Sequence, residues 1–421
     1  MAKLITLDSG LKLFYQKHTS SKALALGVFV GAGCVYEDPK NNGIAHFIEH
    51  MVFKGTTTRS SFDIAEESDR CGVMLNAYTT RQYTAFYTIG LAEYAEKCVD
   101  LLSDLYFNGT FTEENIAKEK GVVIEEIKMY ADDSEDLCLE NLVKAHYGKK
   151  MISAPVLGTE KNVKSFNCDT IKDFMHKLYR PENTCVAFVG NLDEKYAIEL
   201  INKYFKFEKR DDPFLLPTVK KVKSKAKYVE KIKPNEQSSV GIAFPSFPYK
   251  SKMRNVPSFI ASILGGSGMS SRLFQEVREK CGLVYEIYAG NNQYMNNAYF
   301  VVYFGTSPNQ VCTAMSKVKE CLVEAAEKGL TEEEYNKAMA QLKTSLALGG
   351  ESASEIMRLG GRYGLMGKKY THNNALKELE KVTLEQINLG LKEMIDFDKA
   401  SVSYVGQKID CDLLKLLRGE K

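Results

Sequence analysis

The stretch GIAHFIEHMVFKG, residues 43 to 55, decides how the rest of the sequence is interpreted. Its large apolar residues are typical of a helix that is buried against a core. The stretch also carries His46, Glu49 and His50, although the whole protein has only 6 histidines. Packing gives no reason to place two histidines one turn apart with a carboxylate between them, so the stretch indicates a functional helix.

The same helix occurs a second time without these polar residues. HFIEHMVFKG (46 to 55) aligns with SFIASILGGS (258 to 267), where serine, alanine and serine stand in place of the three polar side chains. Two later blocks align in the same order: SSFDIAEESDRCGVMLNAY with SSRLFQEVREKCGLVYEIY, and FTEENIAKEK with LTEEEYNKAM. This order indicates a duplicated unit of about 200 residues. The second copy therefore separates what packing requires from what chemistry requires.

The duplication predicts two homologous domains, residues 1–210 and 228–421. Residues 211–227, DDPFLLPTVKKVKSKAK, contain two prolines and a lysine run and are interpreted as the linker. Strand-like and helix-like stretches alternate along each half, which is typical of an α/β or α+β fold.

The composition excludes several classes of partner. With 56 basic and 54 acidic residues the net charge is +2, which gives no argument for nucleic acid or an anionic membrane. We find no apolar run of the roughly 18 residues that a membrane helix needs, and the first residues contain no apolar signal core. The 10 cysteines include no C-x-x-C pair, so we expect reduced thiols in a cytoplasmic protein.

The polar residues of the opening helix have the spacing of a metal site. His46 and His50 are four residues apart and share one helix face, as two zinc ligands on one helix do. With Glu49 they form H-x-x-E-H, the inverted zinc-protease motif. The alternative is two hydrogen-bonded core histidines with a surface glutamate. Their loss from the second copy favours the metal.

A third ligand is expected on another element, because a catalytic zinc takes three protein ligands and leaves one position open. FTEENIAKEKGVVIEEIKMYADD (111 to 133) predicts a helix with Glu119 and Glu126 on its apolar face. Both are absent from the second copy, where Ala338 and Ser345 replace them. We assign Glu126 as ligand and Glu119 as the group that orients a histidine or tunes the metal.

These motifs resemble the inverzincin metallopeptidases of the pitrilysin and insulin-degrading enzyme clan, in particular its short processing-peptidase branch. HFIEHMVFKGT, LNAYTTRQYTAFY, EKGVVIEEIKMY and LGGSGMSSRLFQEVREKCGLVYEIYA carry the resemblance, which covers nearly the whole chain. It implies an α+β sandwich of two homologous domains, each a mostly antiparallel sheet with helices packed on one face. It also implies a zinc endopeptidase with one Zn²⁺ per subunit.

The resemblance further implies how such an enzyme works. Glu49 would be the general base that deprotonates a zinc-bound water. Peptide or unfolded substrate would add as a strand beside Asn76 and Ala77, with Tyr78 as a weaker candidate for a side-chain pocket. Arg278 and Tyr285, in the second half, match a pair that holds the scissile carbonyl.

Each half thus keeps the part of the site that the other lacks, and this implies a subunit that pairs with a second one. A homodimer enclosing a chamber with two composite sites is the hypothesis, and a heterodimer with an inactive homologue is the alternative. Two other functions remain open: a non-catalytic assembly subunit, and a dedicated leader peptidase for a modified peptide natural product.

Overall fold

The protein forms two compact units, each assembled from separate parts of the chain. The computed structural model describes residues 2–266 and 268–420, so Ser267, at the end of the second helix copy, lies outside the described residues. One unit comprises the chain up to Ile127, Ala154–Thr218 and Leu346–Ala375; the other comprises Lys128–Ser153, Val219–Ser345 and the chain from Leu376 onwards. The boundaries 1–210, 211–227 and 228–421 stay a prediction, since the compact units follow another division.

The first unit is built on a six-stranded sheet in the order β1-β2-β6-β3-β5-β4. All neighbouring strands are antiparallel except β2 and β6, which are parallel. β4 is an edge strand, paired only with β5. The six strands are β1 (Lys3–Thr6), β2 (Lys12–Lys17), β3 (Ala23–Val30), β4 (Met74–Thr79), β5 (Thr84–Leu91) and β6 (Thr184–Gly190).

The second unit repeats this arrangement with five strands in the order β7-β11-β8-β10-β9. Only β7 and β11 are parallel, so each strand has a counterpart in the first sheet at the same position. These strands are β7 (Tyr228–Ile232), β8 (Ser238–Pro245), β9 (Glu286–Gln293), β10 (Ala298–Thr306) and β11 (Ser401–Gly406). The prediction of an α+β protein with two homologous, mostly antiparallel domains is confirmed.

Helices cover both sheets. In the first half of the chain they are α1 (Ile44–Met51), α2 (Ser61–Arg70), α3 (Ala95–Phe107), α4 (Glu113–Asp132), α5 (Ser134–Tyr147), α6 (Glu160–Ser165), α7 (Cys168–Leu178) and α8 (Glu194–Tyr204). In the second half they are α9 (Val256–Gly265), α10 (Val311–Lys328), α11 (Glu332–Glu351), α12 (Ala353–Leu365), α13 (His372–Glu380), α14 (Leu384–Met394) and α15 (Leu413–Arg418). Within the described ranges, none has both the length and the hydropathy for crossing a bilayer.

The central strand β3, ALALGVFV, shows how the first sheet buries both of its faces. Leu24, Leu26 and Val28 belong to a core that includes apolar residues of α1, α3, α7 and α8. Ala25 and Phe29, pointing the opposite way as strand alternation requires, belong to a second core that includes Ile356 and Met357 of α12. The structure therefore adds to the prediction a helix on the other face, and this helix comes from the second half of the chain.

Helix α12 lies unusually close to the first sheet because glycines line its contact face. A Cβ at Gly360 would lie 2.1 Å from the ring of Phe14, and one at Gly361 would lie 2.1 Å from the ring of Phe29. Both rings are fully buried and cannot move into solvent. Only glycine fits at these positions without displacing the core.

The second sheet is covered in the same way by a helix from the first half. α5 contacts β8 and β11, and a Cβ at Gly241 of β8 would lie 3.0 Å from Leu142 of α5. Cys138 of α5 is buried, with its thiol against the carbonyls of Ser239 and Ser403. α5 and α12 occupy equivalent places in the duplicated sequence, so the two halves exchange one helix with each other.

The cysteines depart from the prediction at one pair. Cys312 and Cys411 form a disulfide, although 99 residues separate them, and the prediction of reduced thiols is wrong there. α10 packs against α15, which brings the two Cα atoms to 6.4 Å, within the usual range for a disulfide. The other cysteines form no disulfide within the described residues, and Cys34, Cys98, Cys138, Cys185 and Cys321 are buried.

The glycine contact of α12 is directly testable with Gly361→Ala. The added methyl group has to displace the buried ring of Phe29, so we expect a loss of about 1–3 kcal/mol in unfolding free energy. Gly121→Ala is the matched control, because this helical glycine is exposed and its Cβ would meet no atom within 4 Å. There we expect a gain of up to about 1 kcal/mol. Thermal and urea unfolding measure both; equal stability of the Gly361 variant and wild type would contradict the close contact.

Candidate metal centre

The two histidines of the opening motif lie on the polar side of α1. Ile44, Phe47 and Ile48 are fully buried in the core, and this apolar stripe turns His46 and His50 toward the opposite side of the helix. The ring centroids are 4.7 Å apart, in an edge-to-face arrangement. The four-residue spacing therefore aims two imidazoles at one point.

Helix α4 brings a carboxylate to that point. Glu126 Oε2 lies 3.3 Å from His50 Nε2 and 3.7 Å from His46 Nε2. One ligand atom from each residue lies within 4.8 Å of the others, and no other group of three such residues with converging ligand atoms is found among residues 2–266 and 268–420. The structure thus brings together the three residues that the sequence suggested as ligands.

These residues fit a zinc ion. Glu126 Oε2 is buried and has no hydrogen-bond partner among the described residues, which is costly unless another charge satisfies it. Two imidazole nitrogens and one carboxylate oxygen are a donor set that catalytic zinc uses, with a fourth position left open. The two nitrogens that face Glu126 are both Nε2, which leaves each Nδ1 pointing away from the site.

Glu119 holds one of the two histidines through its ring. Its Oε1 lies 2.8 Å from His50 Nδ1, and its Oε2 lies 2.7 Å from Lys54 Nζ. Burial raises the pKa of Glu119, but the contacts with His50 and Lys54 outweigh it and lower the pKa overall. An ionised Glu119 fixes His50 with Nε2 toward Glu126, as a carboxylate behind a metal-binding histidine does.

The two histidines differ in their surroundings. Burial, with the nearby charge of His50, lowers the pKa of His46 to about 4. Burial also disfavours the charged form of His50, but the carboxylates of Glu119 and Glu126 outweigh it and raise its pKa to about 9. His46 Nδ1 is buried without a hydrogen bond to any described residue, whereas His50 Nδ1 lies 2.8 Å from Glu119 Oε1. Within the described ranges, a side-chain partner therefore holds the Nδ1 of His50 and not that of His46.

Glu49 lies beside the histidines on α1 and contacts the sheet edge. Thr79 Oγ1, on β4, donates a hydrogen bond to Glu49 Oε2. Burial raises the pKa of Glu49, and the hydrogen bond from Thr79 opposes this rise. A carboxyl group with a raised pKa and one oxygen fixed by a donor is suited to accept and release a proton.

The predicted substrate strand, β4, presents its residues to two different sides. Ala77 packs with the core that contains α1, and Thr79, two residues further on, reaches Glu49. Tyr78 points the other way, into the core beneath α12, where its ring contacts those of Tyr83 and Tyr87. Asn76 is exposed. A pocket formed by the Tyr78 side chain would therefore not face the histidines.

Arg278 and Tyr285 belong to the second unit, whereas the three ligand candidates belong to the first. Arg278 is exposed on a π-helical segment, Phe274–Glu279, with its guanidinium carbon 4.7 Å from the centroid of the Phe274 ring. Tyr285 is 70% exposed, and its backbone N–H donates to the carbonyl of Gly305. Both side chains are accessible to a bound molecule.

Two residues at the centre were missed by sequence reasoning. Lys54 follows His50 by four residues, a spacing that predicts a shared helix face, but the sequence does not say that Glu119 lies opposite. Thr79 follows the NAY triplet, and period-two alternation places it on the same strand face as Ala77. In both cases the spacing along the chain indicated the face on which the residue lies. Only the fold shows which residue it contacts there.

Comparison with known protein families gives matches over most of the chain. Residues 12–160 match the model described as Insulinase (Peptidase family M16), and residues 165–342 match the model described as Peptidase M16 inactive domain. The first match contains the histidines and Glu126. The second lies in the part of the sequence where the duplicated helix has lost these side chains.

Individual relatives cover nearly the full length. The chain is 35% identical over 401 residues to "Uncharacterized zinc protease YmxG" of Bacillus subtilis, covering 95% of this chain and 97% of that protein. It is 31% identical over 408 residues to "Uncharacterized zinc protease SCO5738" of Streptomyces coelicolor, covering 95% and 88%.

Two solved structures share the fold, both with a TM-score of 0.89. One is a protease from Helicobacter pylori, 19% identical, with 96% of this chain and 99% of that chain covered. The other is a peptidase M16 inactive domain from Pseudomonas fluorescens, 20% identical, with 98% and 99% covered. At this level of identity the likeness concerns the fold.

Substitutions on α4 test the centre without reference to catalysis. Glu126→Gln removes a charged ligand, so we expect the purified protein to lose its bound zinc. Glu119→Gln should weaken zinc binding about 10–100-fold, because His50 loses the carboxylate that orients it. Glu125→Gln, an exposed neighbour on the same helix, should bind as wild type. Metal analysis and chelator competition measure all three; equal zinc affinity in the Glu125 and Glu126 variants would contradict the assignment.

Proposed function

The chain belongs to peptidase family M16, and from that premise we propose that it is a zinc-dependent endopeptidase acting on peptides or unfolded segments. The observation that supports this most is the convergence of three donors, His46, His50 and Glu126, within 4.8 Å. Glu49 stands on the same helix, and the second copy of the helix has Ala261 in its place. We further propose one zinc per subunit.

The proposed division of labour follows from these positions. His46, His50 and Glu126 hold the metal. Zinc, when bound, polarises water and the peptide carbonyl. Glu49 accepts the proton of the attacking water and delivers it to the leaving amine. Thr79 holds Oε2 of Glu49, and no described residue bonds Oε1, so Oε1 is the oxygen that exchanges the proton.

Substrate capture is proposed at the exposed edge of β4. In the described part of the chain the strand pairs with β5 on one side only, so the main-chain groups of alternate residues around Asn76 and Ala77 face the open edge, where a peptide strand can bond them. The N–H of Ala77 donates to Asn76 Oδ1, and a peptide strand added there would replace this bond. Main-chain hydrogen bonds are indifferent to side chains, which suits a peptidase for unfolded segments. Thr79 connects the same strand to Glu49, so a peptide added to β4 runs past the proposed base.

The negative charge that develops on the scissile carbonyl needs donors on its far side. Arg278 and Tyr285 are the proposed donors, since a guanidinium and a phenol both stabilise an oxyanion. We propose that they act in trans, from a second copy of this chain, in a cytoplasmic homodimer with two composite sites enclosing a chamber. A heterodimer with an inactive homologue would use the same residues. A non-catalytic role is disfavoured because all proposed catalytic side chains are present.

Glu49→Gln separates the proposed chemistry from metal binding. The amide cannot accept the proton, so we expect turnover of an unstructured peptide to fall at least about 100-fold, the range for loss of a general base. Zinc content should stay that of wild type, since Glu49 is not a proposed ligand. Peptide cleavage followed by mass spectrometry, together with metal analysis, measures both. A Gln variant that cleaves as fast as wild type would refute the assignment of the base.

Mixing two inactive variants tests the composite site. Glu49→Gln and Arg278→Ala, each inactive alone, are co-expressed with different tags. In a homodimer acting in trans, each mixed dimer regains one intact site, so the statistical mixture should recover about one quarter of wild-type activity. Glu49→Gln co-expressed with Glu49→Gln/Arg278→Ala is the control and should recover none. Sites completed within one chain would give no recovery in either mixture.

A further inference from the structure

A buried carboxylate outside the proposed centre, Glu37, is left unused by the mechanism above. The residue is 6% exposed, and no basic side chain forms an ion pair with it in the described part of the chain. Burial raises its pKa to about 7, although hydrogen bonds from Ala45, Gly43 and Asn42 oppose the rise. Burying a carboxyl group without a counter-charge is costly, so its position demands an explanation.

In the described part of the chain, the side-chain hydrogen bonds of Glu37 go to the beginning of α1. Oε2 accepts from the backbone N–H of Gly43 at 2.8 Å and from Asn42 Nδ2 at 2.9 Å. Oε1 accepts from the backbone N–H of Ala45 at 2.9 Å. The N-cap residue of this helix is a glycine and offers no side chain of its own. Glu37 thus supplies, from outside the helix, the acceptors that an N-cap side chain normally supplies.

The backbone around this cap leaves no freedom for the helix to shift. Gly43 has φ +98, and a Cβ there would lie 2.6 Å from the Cα of Gly158. Asn42 Nδ2 also donates to the carbonyl of Pro155, and Asn162 Nδ2 donates to the carbonyl of Asn42. With Glu37, these contacts fix both the position and the rotation of the first helical turn.

His46 depends on this turn more than His50 does. It is the residue directly after Ala45, and no described residue forms a hydrogen bond with its Nδ1. A metal-binding histidine is normally oriented through the nitrogen that does not bind the metal, as His50 is by Glu119. The described residues give His46 no such support, so its ring is aimed by packing and by the backbone to which it is attached.

We propose that Glu37 is a positioning residue of the metal centre: it caps the first turn of α1 and thereby fixes the aim of His46. Two carboxylates then serve the two histidines, Glu119 through the ring of His50 and Glu37 through the backbone before His46. The inference rests on the proposed function only in taking His46 as a ligand. Zinc affinity and the Co²⁺ spectrum are measured without peptide turnover, so the inference can fail while the proposed peptidase function stands.

Glu37→Gln tests the proposal. The amide keeps the size of the side chain, but its NH₂ group would face a backbone N–H and cannot accept a hydrogen bond from it. We expect the zinc dissociation constant of the folded protein to rise at least about 10-fold, as for other groups that orient a metal ligand. The visible spectrum of the Co²⁺-substituted protein should also change, because its bands report ligand geometry. Glu37→Asp keeps the charge but cannot reach both amides, so its affinity should be intermediate.

Glu334→Gln is the matched control, since Glu334 also stabilises a helix start, accepting from the backbone N–H of Thr331 before α11 in the unit without the ligands. Its zinc affinity and Co²⁺ spectrum should be those of wild type. A Glu37→Gln protein that is merely less stable, with wild-type zinc affinity and spectrum, overturns the proposal, as does failure of both Glu37 variants to fold. If His46→Ala binds zinc as wild type does, the proposed centre itself is wrong.

Discussion

Each of the two sheets has two apolar faces. The half of the chain that forms most of a sheet does not supply the helices for both of its faces. α12, from the second half, completes the core of the first sheet, and α5, from the first half, completes the core of the second. Glycines mark the contacts, Gly360 and Gly361 on α12 and Gly241 on β8. Neither half can therefore bury its apolar surface alone, and the two repeats have to fold as one chain.

The exchange falls close to the proposed ligands along the chain. α4 is the helix that precedes α5, and the first segment of the first unit ends at Ile127, one residue after Glu126. The part of α4 that belongs with α1 is thus the part that carries Glu119 and Glu126. In the second repeat α11 has the same length of 20 residues but only alanine and serine at these two positions. Both repeats keep the helix, and only the first repeat keeps its two glutamates.

The candidate centre combines buried acids with different partners. Glu119 is satisfied by His50 and Lys54, Glu37 by backbone amides, and Glu49 in part by Thr79. Glu126 Oε2 alone among them is buried without a hydrogen bond. This oxygen and the two imidazole nitrogens converge within 4.8 Å, which is where a cation fits. The donors are placed in advance, which would reduce the reorganisation needed for the proposed metal binding and catalysis.

The sequence by itself determined the local part of this protein. Helical spacing brought His46 and His50 together, and the second copy, with the same apolar pattern but without these histidines and glutamates, pointed to Glu126 as a partner. The alternation of strand-like and helix-like stretches indicated an α/β or α+β fold, and the family resemblance implied the α+β sandwich. Only the tertiary structure decided that α5 and α12 exchange places, that Cys312 and Cys411 form a disulfide, that Tyr78 turns away from the histidines and that Glu37 caps α1. Most of these features join residues that are far apart in the chain. Periodicity in the sequence predicts which face of a helix or strand a residue lies on. The residues that this face contacts are decided by the packing of the whole core.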